Sequence, residues 1–249
     1  MERFWSVKKN KIDRIIILGS SSKGNCYLLE CDGKFLIIEA GVNFVKCVLP
    51  AVDYHAEKIV ACISTHRHTD HSMYLPEIVK RAIPVYSHPD VTESYKGVIP
   101  LHPNRKYRIG KFAVTPIPVE HSAPCYAYLI EHKNIGKLLF ATDLKDFKYR
   151  IKDLDHLFIE ANYGNDILDD NAGEDKWSSS AYKSHLEIYQ TIDVIKHNIS
   201  SKLKTICLLH LSDDNSNSNL FKKMVWDETG RMCYIAEKGL EIELNKEEF

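Results

Sequence analysis

The sequence has no long hydrophobic run. Its most apolar N-terminal stretch, Ile15–Leu18, is far too short for a membrane span or the core of a signal peptide. It also has no excess of charge: 33 Lys and Arg face 34 Asp and Glu, for a formal net charge of −1 over 249 residues. Such a balance argues against a protein that coats long nucleic acid electrostatically, and no Lys/Arg-rich arm is present. Paired cysteines are missing too. The seven cysteines form no CxxC and their number is odd, and most sit in apolar runs such as Ala61-Cys62-Ile63, as buried reduced thiols do. There is no repeat, low-complexity segment or linker. These absences lead us to expect one soluble cytoplasmic domain over residues 1–249.

What the sequence does have is strands, helices and twelve histidines. Ile12–Gly19, Cys26–Cys31 and Lys34–Glu39 read as strands, the last two joined by an Asp32-Gly33 hairpin turn. Val42–Leu49 reads as a short helix stopped by Pro50. Ile59–Thr65 is a buried strand, followed by helices over Met73–Arg81 and Pro89–Lys96 around a strand at Pro84–Ser87. Phe112–Val119, Cys125–His132, Lys137–Thr142 and Leu157–Glu160 are further strands. Gly164–Ser180 is acidic and reads as a long loop, suited to a functional or interface role. A helix over Ala181–His197, a strand over Leu203–Leu211, a helix over Ser218–Asp227 and two short strands complete the chain. Strands with helices, given twice, suit a two-sheet α/β (α+β) sandwich covered by helices.

The chemistry concentrates in His66-Arg67-His68-Thr69-Asp70-His71, directly after the strand Ile59–Thr65. Imidazole and carboxylate suit zinc and similar divalent ions. A tight loop at a strand end can aim alternate side chains at two neighbouring points, so His66 and His68 can share one ion while Asp70 and His71 take a second.

HxHxDH after a strand resembles the signature of the metallo-β-lactamase fold hydrolases. That resemblance, spanning roughly Ile12 to Leu244, implies an αββα four-layer sandwich with two metals at one edge and three more ligands at strand ends: His121, Asp143 and His210. His66, His68 and His121 would hold one ion, and Asp70, His71 and His210 the other, with Asp143 between them. Asp143 stands where the two-zinc antibiotic-hydrolysing branch has Cys, which disfavours β-lactam hydrolysis. Glu160-Ala161-Asn162-Tyr163 and Ser184-His185-Leu186, the latter read at a helix start, resemble elements of tRNase Z in which a Glu orients a His that protonates the leaving oxygen. The Gly19–Tyr27 and His210–Asn217 segments resemble YycJ-like proteins, linked to DNA exonuclease activity. The serine-glycine loop would present backbone N–H groups to an anion or serve as a tight turn. Ser212, Asn215 and Ser216 would bind phosphate oxygens or cap a helix.

The expectation is a binuclear metal-dependent phosphodiesterase in which metal-activated hydroxide attacks phosphorus, Asp70 or Asp143 orients it and His185 with Glu160 supplies the proton. Zinc is the expected metal, with manganese as the alternative. Near-neutral charge leans toward small cyclic nucleotides over DNA or RNA, the substrates of a YycJ-type exonuclease. A glyoxalase II-like thioester or lactone hydrolase is a further alternative, with no evident need for the Glu160–His185 pair. Arg67 and Lys145 are secondary candidates for substrate contact. By resemblance a homodimer is expected, located in the cytoplasm, or the host cytoplasm if the chain is phage-encoded.

Overall fold

A computed structural model describes residues 12–172 and 180–245. Two seven-stranded sheets form the centre. The first contains β1 (Arg14–Gly19), β2 (Cys26–Cys31), β3 (Lys34–Ile38), β4 (Ile59–Ser64), β5 (Val85–Ser87) and β6 (Val98–Pro100). The second contains β7 (Tyr107–Ile109), β8 (Phe112–Val119), β9 (Cys125–His132), β10 (Gly136–Ala141), β11 (His156–Glu160), β12 (Thr205–Leu209) and β13 (Tyr234–Ile235). The last strand, β14 (Glu241–Glu243), returns to pair with β1. Each sheet changes from antiparallel to parallel pairing part way across, at β3/β4 in the first and β10/β11 in the second.

Both faces of each sheet are covered, which is why many strands read as unbroken apolar runs. Alternate residues still go to different layers. Ile15, Ile17, Leu36 and Ile38 meet Leu138, Phe140, Phe158 and Leu209 between the sheets. Ile16, Phe35 and Ile37 face an outer layer with Phe44, Leu75 and Ile78. Leu139, Ala141, Ile159 and Leu208 face the opposite outer layer, with Ile188, Ile192, Phe221 and Val225. The result is an αββα sandwich, the architecture that the resemblance implies.

The helices correct several expectations. Pro50 does not stop the first one: the π turn Phe44–Val48 continues through α1 (Leu49–Ala51), which contains Pro50. The helices α2 (Thr69–Ser72), α3 (Leu75–Lys80) and α4 (Pro89–Ser94) follow in the first half. The acidic stretch expected as a loop opens with α5 (Asn165–Ala172), anchored by buried Leu168 against Tyr163. Its continuation, 173–179, lies outside the described residues. The single helix expected over Ala181–His197 is two, α6 (Ser180–Ser184) and α7 (Ile188–Asn198). Glu187 accepts the Tyr189 N–H while Gln190 accepts the Glu187 N–H, a reciprocal cap that starts a new helix. The last helix among the described residues is α8 (Ser218–Thr229), closed by Gly230 at a left-handed φ of 64°. Among the described residues, no helix is long and apolar enough to cross a membrane.

Candidate metal centre

Strand direction assembles the site. β10, β11 and β12 run parallel with Ala141 beside Ile159 and Ile159 beside Leu208. Asp143, Glu160 and His210 therefore emerge at one edge. β8 runs in the same direction as β10, since both are antiparallel to β9, and delivers His121 to that edge. Asp143 and His210 take left-handed backbone conformations, with φ of 54° and 52°, and so does Glu39 after β3, with φ of 67°. Such φ values are strained for residues other than glycine and cluster where the surrounding structure dictates them.

The loop 66–71 is held from beneath. Buried Glu39 accepts the Thr65 N–H at 3.2 Å and the Ser64 hydroxyl at 3.1 Å. Ser72 Oγ donates to the carbonyls of Arg67 and His68. The backbone N–H groups of Asn25 and Ala40 each donate at 2.7 Å, to the Asp70 and His71 carbonyls respectively. Gly41 is needed for this approach, because a Cβ there would lie 1.6 Å from the Asp70 carbonyl oxygen.

The side chains gather in three groups sharing Asp143: one with His66, His68 and His121, a second with Asp70, His71 and His210, and a third that joins His210 to Glu160 and His185. Within each, the donor atoms lie within 4.8 Å of one another, near twice the roughly 2.0–2.2 Å of a metal–ligand contact. In the first group His68 Nδ1 is 2.9 Å from His66 Nε2 and 3.3 Å from His121 Nε2. His121 Nδ1 donates to the Ser184 carbonyl at 2.8 Å, which fixes that tautomer and leaves Nε2 with a bare lone pair. A cation among these three nitrogens satisfies them together. Burial pushes all three imidazoles below the ordinary histidine pKa, so they are neutral donors.

The second group is charged. His71 Nε2 lies 3.2 Å from Asp70 Oδ2 and 3.3 Å from Asp143 Oδ1. His210 Nε2 is buried without a hydrogen-bond partner, 3.7 Å from Asp70 Oδ2. Burial opposes protonation of His71, but Asp143 and Glu39 outweigh it and raise its pKa. The same contest, decided by Asp143, Asp70 and Glu160, raises His210 to about 10. Burial opposes ionisation of Asp143, yet His210 and His71 hold its carboxyl well below the usual range. The His/Asp donor sets fit a binuclear metal site.

Glu160 ties this centre to His185. Its Oε1 meets His185 Nδ1 at 2.6 Å and His210 Nδ1 at 3.1 Å, while Oε2 accepts the Leu144 and Leu186 N–H groups. His185 does not start a helix: it lies in the break between α6 and α7. Burial lowers its pKa, but Glu160 more than compensates and raises it.

The structure does not bring Ser212, Asn215 and Ser216 into these groups. Asn215 N–H donates to Ser212 Oγ, Ser216 Oγ donates to the Ser212 carbonyl, and Asn215 Oδ1 accepts from Asn171. Asn217, not one of these three, caps α8. In the serine-glycine loop the Gly24 N–H donates to the Ser21 carbonyl, and Ser20 Oγ accepts the His210 N–H at 2.9 Å. Sequence reading missed Asn25, whose buried amide meets Asp70 Oδ2 at 3.1 Å and His71 Nε2 at 3.0 Å. It missed the role of Glu39 as well, where a carboxylate closing an apolar strand was the available signal.

Comparison with known proteins agrees. A family model described as "Beta-lactamase superfamily domain" matches residues 36–203. Exodeoxyribonuclease WalJ of Streptococcus pneumoniae is 23% identical over 226 residues, covering 82% of this chain and 83% of that protein. Ribonuclease J 1 of Streptococcus pyogenes is 26% identical over 164 residues, or 56% of this chain; the match spans only 29% of that longer relative. In fold, the metallo-beta-lactamase fold protein YhfI from Bacillus subtilis superposes with a TM-score of 0.72 at 19% identity, covering 92% of this chain and 99% of YhfI. With that family model matched over most of this chain and the His/Asp centre at the strand ends, the chain belongs to the beta-lactamase superfamily.

Proposed function

We propose that the protein hydrolyses phosphodiester bonds of nucleotides or nucleic acid. The observation that carries this reading is the Glu160–His185 pair beside the ligand groups, 2.6 Å apart. Cleaving a phosphodiester expels an alkoxide, a poor leaving group that needs a proton. Glu160 engages His185 Nδ1, keeps the ring oriented and favours its charged form, leaving Nε2 as the proton donor. A thiolate leaves without such help, so a thioester hydrolase has no use for the pair. Asp70, whose side chain is 19% exposed against 3% for Asp143, is the carboxylate open enough to orient an attacking water.

Two divalent ions held by His66, His68, His121 and Asp143, and by Asp70, His71, His210 and Asp143, would lower the pKa of water and neutralise phosphoryl charge. Zinc suits the imidazole-rich set, with manganese as the alternative. The names of WalJ and ribonuclease J 1 weigh toward nucleic acid, and small cyclic nucleotides are the competing substrate. A homodimer completes the reading, checked by light scattering.

The test compares leaving groups. His185→Gln is expected to lose roughly 10²–10⁴-fold in kcat on an unactivated dinucleotide. It should keep most activity on bis-p-nitrophenyl phosphate, whose nitrophenolate departs unprotonated. Equal losses on both would remove His185 as the acid. Turnover of a thioester, with none of cyclic nucleotides, single- or double-stranded DNA or RNA, would sink the phosphodiesterase reading.

A further inference from the structure

Two cavities adjoin on the outer side of α7, and Gln190 lines both. The smaller, about 280 Å³, takes in His185 and Lys145 together with Tyr163 and Tyr182. The larger, about 460 Å³, lies between the segment 146–150 and the α7 face carrying Asp193, Val194 and His197. Together they form a trench that begins at the proton donor and runs away from the ligand groups.

The wall of this trench is tied at both ends. It starts two residues after the shared ligand Asp143, with the Lys145 N–H donating to the Glu120 carbonyl at 2.8 Å, next to His121. It ends with the Ile151 N–H on Asn198 Oδ1 at 2.8 Å. Between these pins Phe147 is buried in the outer core layer, while Tyr149 is 46% exposed and meets Phe147 edge-on at 5.4 Å. Lys148 and Arg150 flank Tyr149 and are exposed, as is Lys145. Cation and aromatic alternate on a backbone fixed at both ends.

We propose that this trench binds single-stranded nucleic acid on the leaving-group side of the scissile bond. Bases would stack on Tyr149, and phosphates would meet Lys145, Lys148 and Arg150. An aromatic platform interleaved with cations is what sequence-tolerant single-strand binding requires, since every base offers a π face and every nucleotide a charge. The location follows from the chemistry: the strand attached to the oxygen that His185 protonates must extend past His185. The smaller cavity falls just below the roughly 300–1,000 Å³ of a small-ligand site. One nucleoside fills it, and the larger cavity gives the next nucleotides a place that a mononucleotide would leave empty. Three acids oppose this. Glu187 lines the smaller cavity, but its carboxylate accepts the Tyr189 and Asn165 N–H groups. Asp193 lies on the α7 wall, and Asp146 pairs with Lys148 at 3.2 Å, but both partners of that pair are exposed, so a phosphate can displace it at little cost.

The proposal rests on the phosphodiesterase reading for its direction, and the experiment separates the two. Fluorescence polarisation of a labelled single-stranded DNA of roughly 15 nucleotides is followed against salt, using the full metal-loaded chain in a His185→Gln background that spares the probe. Adding Lys148→Ala with Arg150→Ala should flatten the salt slope by about 1.4, or about 0.7 per lost phosphate contact. Adding Tyr149→Ala should weaken binding roughly tenfold, within the range for loss of one stacked base. Binding unchanged in these variants, or a duplex held more tightly than the strand, would overturn the trench. Wild-type hydrolysis of bis-p-nitrophenyl phosphate with no oligonucleotide binding would also overturn it while leaving the phosphodiesterase reading intact. Oligonucleotide binding that responds to the variants, without any phosphodiester hydrolysis, would support the trench and count against that reading.

Discussion

The two ligand groups share Asp143 but recruit a cation by different means. His66, His68 and His121 are neutral imidazoles whose lone pairs converge. In the other group the carboxylates of Asp143 and its neighbours raise the pKa of His71 and His210, so a cation there competes with protons for the imidazole lone pairs. The first group therefore offers a site ready for a borderline-soft metal at neutral pH, and the second offers stronger charge coupled to pH. One edge of a sandwich gives two sites because burial dominates on one side and carboxylates on the other.

The largest test of that contrast is its common member. Asp143→Ala is expected to empty both sites and abolish hydrolysis. The fall in metal affinity should exceed the roughly 10–100-fold that loss of an outer partner costs. His121→Ala and His210→Ala should instead remove one ion each. Elemental analysis of the purified variants reads this directly, and two ions retained in Asp143→Ala would break the division into groups that meet at one carboxylate.

Gly41→Ala should divide the groups through the backbone. The added methyl would meet the Asp70 carbonyl at 1.6 Å and the Asn25 nitrogen at 2.6 Å, both backbone atoms that cannot swing aside. We expect a loss of about 3 kcal/mol in denaturant unfolding and a selective loss of the ion at the Asp70 group. An unchanged melting curve with both ions bound would show that the 66–71 loop is not clamped as described.

The same contrast explains what could be read in advance. The loop 66–71 is contiguous, so its four donors were plain in sequence, and strand-end positions together with family resemblance marked His121, Asp143 and His210. Asn25 and Gly41 carry no such pattern: one is a polar residue between a loop and a strand, the other a glycine whose need appears only when Asp70 packs on it. β6 and β7 escaped notice because three residues are too few to show alternation. The break at His185 was hidden because Leu186, Tyr189 and Ile192 kept helical spacing, whereas the Glu187 cap starts a new helix. α5 was masked by its acids, with only Ile167 and Leu168 to bury.

β11 offers a second contrast, between its two ends. Glu160 serves the centre, while His156 at the other end accepts from Thr205 Oγ1 at 3.0 Å and donates to the Ile135 carbonyl at 3.0 Å. Burial pushes the His156 pKa down to about 4. An unfolded chain takes up the proton near pH 6.5, so the unfolded state binds more protons between these values. Stability from this group is complete above pH 6.5 and is lost as pH falls toward 4, up to about 3 kcal/mol. His156→Gln should flatten unfolding free energy against pH in that window. A slope equal to the wild type's would place the acid sensitivity elsewhere.

The finest test counts protons. Metal titration at neutral pH, run by calorimetry in buffers of different ionisation enthalpy, should release protons at the second group and almost none at the first. His71 and His210 are held protonated by Asp143 and its neighbours, with His210 near 10, so a cation that takes their lone pairs must expel those protons. The first group has already lost its protons to burial. Affinity at the second site should therefore rise about tenfold per pH unit for each proton released, or about 1.4 kcal/mol, while the first stays flat above pH 7. With His121→Ala the pH-dependent site remains and the flat one disappears; with His210→Ala the reverse holds. Equal proton release at both sites would mean that the neutral and ionic groups differ in composition alone and bind their cations alike.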